Sequence, residues 1–181
     1  MRARSLALSI AALALFGCED ITDLDSYVQT VKGAGLDWKV GGTGSGQEDS
    51  VLTAMMEAAF DYEVTYIPFP GGGTVAKNLV GGHIDSTVNN PSEQMGFYNA
   101  GKSRPIVAFT PARLDAFPDT PTATEQGHDI VYWMQRSFVG PKNMPAETVA
   151  YYTEMFRKLS ETEEWQNYTR DEALMADFLT G

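Results

Sequence analysis

Three times before residue 100 a short β-prone stretch runs into a small, polar loop and then into a helix-forming segment. That alternation is the strongest constraint on the fold. Residues 36–40 (LDWKV) lead into the glycines of 41–46, and 47–60 follow as a helix. Val51, Leu52, Met55, Met56, Ala58 and Ala59 are expected to face inward from it. Residues 63–69 (EVTYIPF) lead into Gly71-Gly72-Gly73 and a helix over 74–80. Residues 84–88 lead into Asn89-Asn90 and a helix over 91–99 opened by Pro91. Strands separated by helices imply βαβ units: a mixed, mostly parallel sheet with helices on its faces, the α/β class.

The flanking segments read in the same way. Thr22 and Asp23 can cap a helix whose apolar face is Leu24, Tyr27, Val28 and Val31, stopped by the glycines at 33 and 35. Further strands are expected over 104–110 and 130–139, joined by a Pro-rich connection over 111–127. Pro145 starts a helix to residue 160 with Val149, Tyr152, Phe156 and Leu159 on one face, and two short helices are expected to close the chain. No internal repeat or low-complexity linker interrupts this order.

Residues 1–18 stand apart. Arg2 and Arg4 precede an uncharged apolar run over 5–17, the length of a signal-peptide core and too short for a comfortable membrane span. The run ends at Leu15-Phe16-Gly17-Cys18, which resembles the lipobox of bacterial lipoproteins, with Cys18 as the residue that is lipidated. The address this predicts is the periplasm or the extracytoplasmic face of the cytoplasmic membrane. As the sole cysteine in the chain, Cys18 leaves no disulfide framework and no CxxC zinc site.

Catalytic constellations are scarce. His83 and His128 sit in turn-like contexts without metal-ligand spacing and read as solvated loop residues, and there is no GxSxG elbow. Glu163-Glu164 reads as helix-start charge. With 13 Lys plus Arg against 24 Asp plus Glu, a net charge of −11 excludes general nucleic-acid binding, where affinity rests on phosphate neutralisation. The expectation is a non-enzyme without cofactor or metal.

What remains is a ligand site built from loops. Gly42, Thr43, Gly44 and Ser45 lie between a strand and a helix, so backbone N–H groups and two hydroxyls can face an anion at the helix N-terminus. A nucleotide P-loop would continue with Lys and Ser or Thr, whereas Gln47-Glu48-Asp49 follows here. A flexible turn with a helix cap fits the same residues, with Glu48 and Asp49 favouring the helix dipole. Gly72 permits close backbone approach. Asn89 and Asn90 fall at a strand's C-terminal end, where open α/β sheets bind ligands, although Asn90 can equally cap the helix that follows. All three loops belong to one edge of the sheet.

Taken in succession, residues 42–46, 66–73 (YIPFPGGG), 79–85 (LVGGHID), 100–105 (AGKSRP) and 121–127 (PTATEQG) resemble the substrate-binding receptors of tripartite tricarboxylate transporters. The resemblance implies a lobe of the type II periplasmic-binding-protein fold. It implies capture of a small carboxylate by amides and hydroxyls at helix N-termini, and delivery to membrane permease subunits without catalysis. Members carry a complete first lobe ahead of the helix at Thr22, so the expectation here is a chain truncated at its N-terminal side. Residues 1–18 would be the leader, 19–140 the second-lobe binding domain, and 141–181 helices that return to the first lobe. Apolar residues there, such as Phe156, Trp165 and Phe178, would then be exposed or repacked. Two other roles share this ancestry: a ligand-presenting or regulatory lipoprotein for a membrane sensor, and a fragment that binds nothing.

Overall fold

The computed structural model describes residues 21–134, 136–174 and 176–180, so the leader and Cys18 lie outside the described residues. Its first helix follows directly from local chemistry. Asp23 caps α1 (Leu24–Ala34) by accepting the Ser26 N–H at 2.8 Å, while the Ser26 hydroxyl accepts the Asp23 N–H at 3.1 Å, a reciprocal capping box. Gly35, in the left-handed region at φ 57°, ends the helix. The expected face is the buried one: Leu24 and Val31 are fully enclosed, and Tyr27 and Val28 nearly so.

A 3₁₀ turn over Gly35–Asp37 delivers the chain to β1 (Lys39–Gly42), three residues later than the sequence suggests. The glycine at 35 needs that turn before the backbone can extend. Then follow α2 (Glu48–Phe60), β2 (Thr65–Pro68), α3 (Gly72–Val80), β3 (Ser86–Thr87) and α4 (Pro91–Asn99). The three strands are parallel in the order β2-β1-β3, with Lys39 opposite Thr65, Gly42 opposite Pro68, and Val40 opposite Ser86. Central β1 therefore points its C-terminal end the same way as both neighbours.

The main core lies against α1. Val40, Met56, Tyr62, Val64, Ile21 and Ala123 join the four α1 residues, with Trp38, Phe60, Ile106 and Phe109 packed around them. Tyr27 meets Trp38 edge-on at 6.0 Å, and Ser86 Oγ accepts from Trp38 Nε1 at 2.9 Å, which ties β3 to α1. Gln126 caps the arrangement: its Oε1 accepts the Leu24 N–H at 2.7 Å and its Nε2 donates to the Ile106 carbonyl at 3.0 Å.

Four expectations need correction. On α2 the covered stripe is Asp49, Leu52, Thr53 and Met56, while Val51 and Met55 are each 40% exposed. One helix face covers only i, i+3, i+4 and i+7, and the Val51–Met55 line falls beside it. Among the described residues, 104–110 and 130–139 form no strand; Ala108 makes a single bridge to Thr122, and Tyr132 donates to the Phe109 carbonyl at 2.9 Å. Strand-prone side chains need a paired neighbour, and Pro105 has no N–H to offer a ladder. His128 is not simply solvated: Nε2 lies 2.8 Å from Asp25 Oδ1, and the ring packs edge-on to Phe60 at 5.0 Å. Of the two closing helices, α6 (Glu163–Asp171) is the one that forms among the described residues after α5 (Ala146–Ser160), and Ala173 turns left-handed at φ 52°.

No side chain of α5 is buried; Val149, Tyr152 and Leu159 are more than 40% exposed, and Phe156 stacks on Phe138 at 4.2 Å. Phe178 is 40% exposed, and Trp165 is half-buried. Among the described residues no helix is long and apolar enough to cross a membrane. Replacing Leu24 with Ala should cost about 2–5 kcal/mol in urea unfolding, whereas Leu36→Ala, at a 62% exposed position, should stay within about 0.5 kcal/mol. Equal losses at the two positions would contradict this placement of the core.

Candidate functional site

Parallel pairing brings the three strand-to-helix loops to one edge of the sheet. The loop after β1 meets the N-terminus of α2, that after β2 meets α3, and Val88-Asn89-Asn90 after β3 meets α4. Phe69 N–H donates to the Gly42 carbonyl at 2.8 Å, and Asn89 Nδ2 donates to the Gly72 carbonyl at 3.2 Å, so the loops are stitched to one another.

The first loop turns around its own acid. Asp49, buried in the first turn of α2, accepts the Thr43 N–H at 2.8 Å, and Tyr66 Oη donates to the Thr43 carbonyl at 2.6 Å. A Cβ at Gly42 would collide with the Tyr66 hydroxyl and with Asp49 Cβ, which is why the strand must end in glycine there. Gly46, at φ 82°, closes the loop, and its N–H donates to Ser50 Oγ at 2.8 Å. Thr43 N–H is thus spent internally. The N–H groups of Gly44 and Ser45 and the exposed Ser45 hydroxyl make no hydrogen bond among the described residues, and they are the loop's open donors.

Gly72 is buried at the start of α3, and a Cβ there would overlap the Glu93 carboxylate from the first turn of α4. Glu93 therefore sits between two helix N-termini. Asn89 and Asn90 are half-buried; Asn89 Oδ1 accepts the Asn90 N–H at 3.0 Å, and Asn90 starts α4 without a side-chain cap. Together these place Gly42, Thr43, Gly44, Ser45, Gly72, Asn89 and Asn90 along one edge, with Asp49, Tyr66 and Glu93 as partners that sequence reasoning left out. Asp49 carried a signal, an acid in a first helical turn, but the dipole reading hid its bond to the loop.

Electrostatics at this edge are acidic. Burial raises the Asp49 carboxyl above its ordinary range despite the Thr43 N–H. Burial also raises Glu93, with Asp49 and Glu48 adding to the effect. Desolvation, then the charges of Asp49 and Glu48, pushes the Tyr66 phenol up to about 12. Among the cations, Arg113 Nε bonds Glu125 at 2.9 Å and Arg104 Nη2 bonds the Ile21 carbonyl, Arg136 and Lys142 are exposed, and Lys102, Arg104 and Arg136 border the groove beside this edge. No group of three or more His, Cys, Asp or Glu among the described residues is placed to hold a metal.

Beside the edge opens a groove of about 2120 Å³ bordered by Asn89, Asn90, Gln94, Tyr98, Trp133 and Phe156, among others. Residues 42–45 and Gly72 do not border it, so the open donors of the first loop and the groove wall on α4 are separate surfaces of the same edge.

A raised carboxyl pKa means that the folded state holds more protons than the unfolded chain, so its stabilising contribution falls as pH rises from the ordinary carboxylate range, about 4–4.5, through the folded value. Glu125 and Glu154 act in the opposite sense below that range. Glu125 is lowered by the Thr122 N–H and then Arg113, and Glu154 is held at about 2 by Arg157. Glu93→Gln should therefore raise the melting temperature at pH 7 and flatten its decline between about pH 4.5 and 7. An unchanged slope across that window would show that Glu93 is not desolvated at this edge.

Comparison with known proteins places the fold and the sequence together. Residues 6–175 match the family described as tripartite tricarboxylate transporter family receptor. A TctC solute-binding protein from Polaromonas superposes with a TM-score of 0.68 at 23% identity, over 83% of this chain and 52% of that one. MatC from Rhodopseudomonas palustris with bound malate gives 0.71 at 20%, again over 83% and 52%. Another R. palustris protein, with adipate, gives 0.74 at 16%, over 86% and 52%. A UPF0065 protein from an intergenic region of Agrobacterium vitis is 27% identical over 59% of this chain and 31% of its own length. The chain thus spans about half the length of these solved structures and less of the curated relative. Matched along nearly its whole length, the chain belongs to the tripartite tricarboxylate transporter receptor family.

Proposed function

We propose that this chain is the extracytoplasmic solute-binding component of a tripartite tricarboxylate-type transporter, capturing a small carboxylate and presenting it to membrane permease subunits. The observation that carries the reading is the convergence of three strand-to-helix loops at one sheet edge in a chain of this family. Helix N-termini favour anions by roughly 0.3–1 kcal/mol each at exposed sites and by more when desolvated. Capture through Gly44, Ser45 and the α3 and α4 N-termini then needs no cationic side chain. Malate and adipate, named with two of the similar structures, are the chemical class expected. Thr43 and Gly42 serve by shaping the loop, and Asn89 by holding Gly72.

In the same reading residues 19–140 carry the ligand-facing loops, and 141–181 pack beyond them, in keeping with the uncovered face of α5. Cys18 is the lipid attachment point, with anchoring completed by further acyl chains, since one alone binds a bilayer only marginally. The protein performs no chemistry on its ligand.

A thermal melt of the purified chain with citrate, malate or adipate at about millimolar concentration tests this. Ligand held at 100 times Kd should stabilise by about 2.7 kcal/mol, which is several degrees for a chain of this size. Glucose should give no shift. A cooperative melt that no carboxylate moves would contradict the proposal.

A further inference from the structure

The carboxamides that stand out in the sequence are not the ones left open in the structure. Asn89 is engaged at both ends: Nδ2 donates to the Gly72 carbonyl, and Oδ1 accepts the Asn90 N–H. Asn90 keeps no buried side-chain atom without a partner. Gln94, one turn into α4, is different. Both Nε2 and Oε1 are closed off from solvent, and neither has a hydrogen-bond partner among the described residues, while the residue borders the large groove beside Asn90 and Tyr98. A buried amide without partners is destabilising, because its desolvation is not offset, and such an exception needs a physical reason. The terminal amide torsion is broad and roughly two-fold, so either end of the amide can be turned to a partner at the groove that the residue borders.

We infer that Gln94 is a ligand-contacting, specificity-determining residue, and that the ligand carries a hydrogen-bond donor, a hydroxyl or an ammonium, on the carbon next to its carboxylate. The inference rests on the carboxylate-receptor reading of this edge. A carboxamide offers two N–H donors and an oxygen that accepts. An unsubstituted carboxylate satisfies Nε2 and leaves Oε1 orphaned, whereas a neighbouring O–H or N–H satisfies both ends at once. Sites built to bond a ligand's OH or NH reject the analogue lacking it, because their own polar group is then left unpaired. Next to it on the first turn of α4, Glu93 Oε2 is a further buried acceptor without a partner among the described residues.

Succinate, malate and aspartate test this directly: they share one four-carbon diacid skeleton and differ only in carrying H, OH or NH3⁺ at the second carbon. Calorimetric titration of the purified chain should show malate, aspartate or both binding about tenfold tighter than succinate, and the better of the two identifies the donor. Gln94→Met, close in length and apolar, should raise the ligand-free melting temperature by removing the orphaned amide, and should level the series. Equal affinity for all three, or a preference that survives in the Met variant, would overturn the inference while leaving carboxylate capture standing. No binding by any of the three or by adipate would instead remove the reading on which it rests.

Discussion

Central strand β1 is only four residues long, yet the placement of every candidate ligand group depends on its parallel pairing with both neighbours. Parallel neighbours require helical crossovers, and crossovers bring every following loop to the same end. That end is where oriented N–H groups of three helices gather, so the polarity of the site is a consequence of topology before any side chain is chosen. Glycines at the end of the strand make the geometry possible. At Gly41 a side chain would run into Ile84, and at Gly42 into Tyr66 and Asp49. β1 can therefore be pressed from both sides while its last carbonyl bonds the β2 loop.

Asp49 changes the character of that edge. A loop of glycines and hydroxyls before a helix invites an external anion, but here a buried carboxylate of the same helix already takes the Thr43 N–H. The loop is held in shape by an internal acid, and its outer donors, at Gly44 and Ser45, are left facing solvent. Burial raises Asp49 and Glu93 together, so the edge works as a mildly acidic frame around anion-favouring helix ends.

Much of this was legible in sequence where the signal is local. The Asp23 cap and the Leu24-Tyr27-Val28-Val31 face lie within one helix, and Pro91 with Asn99 bounds α4 as the spacing implies. Strand positions over 104–110 and 130–139 misled because strand-forming side chains describe a capacity to pair, and pairing depends on a neighbour that local sequence does not contain. The inward face of α2 was misplaced because Val51 and Met55 are as apolar as Leu52 and Met56, and only the tertiary contact distinguishes the two lines. At the site, the loops were visible as glycine and asparagine clusters. Gln94 was not, since a glutamine inside a helix is ordinary until its partners are counted.

The central claim, that one sheet edge presents a carboxylate site, is tested most directly by amide NMR of the 15N-labelled chain titrated with malate. The account predicts saturable shifts concentrated at Gly44, Ser45, the N-terminus of α3 at Gly72–Gly73, and α4 around Asn90 and Gln94. Shifts confined to α5, α6 and the 133–139 segment, or scattered without saturation, would contradict it.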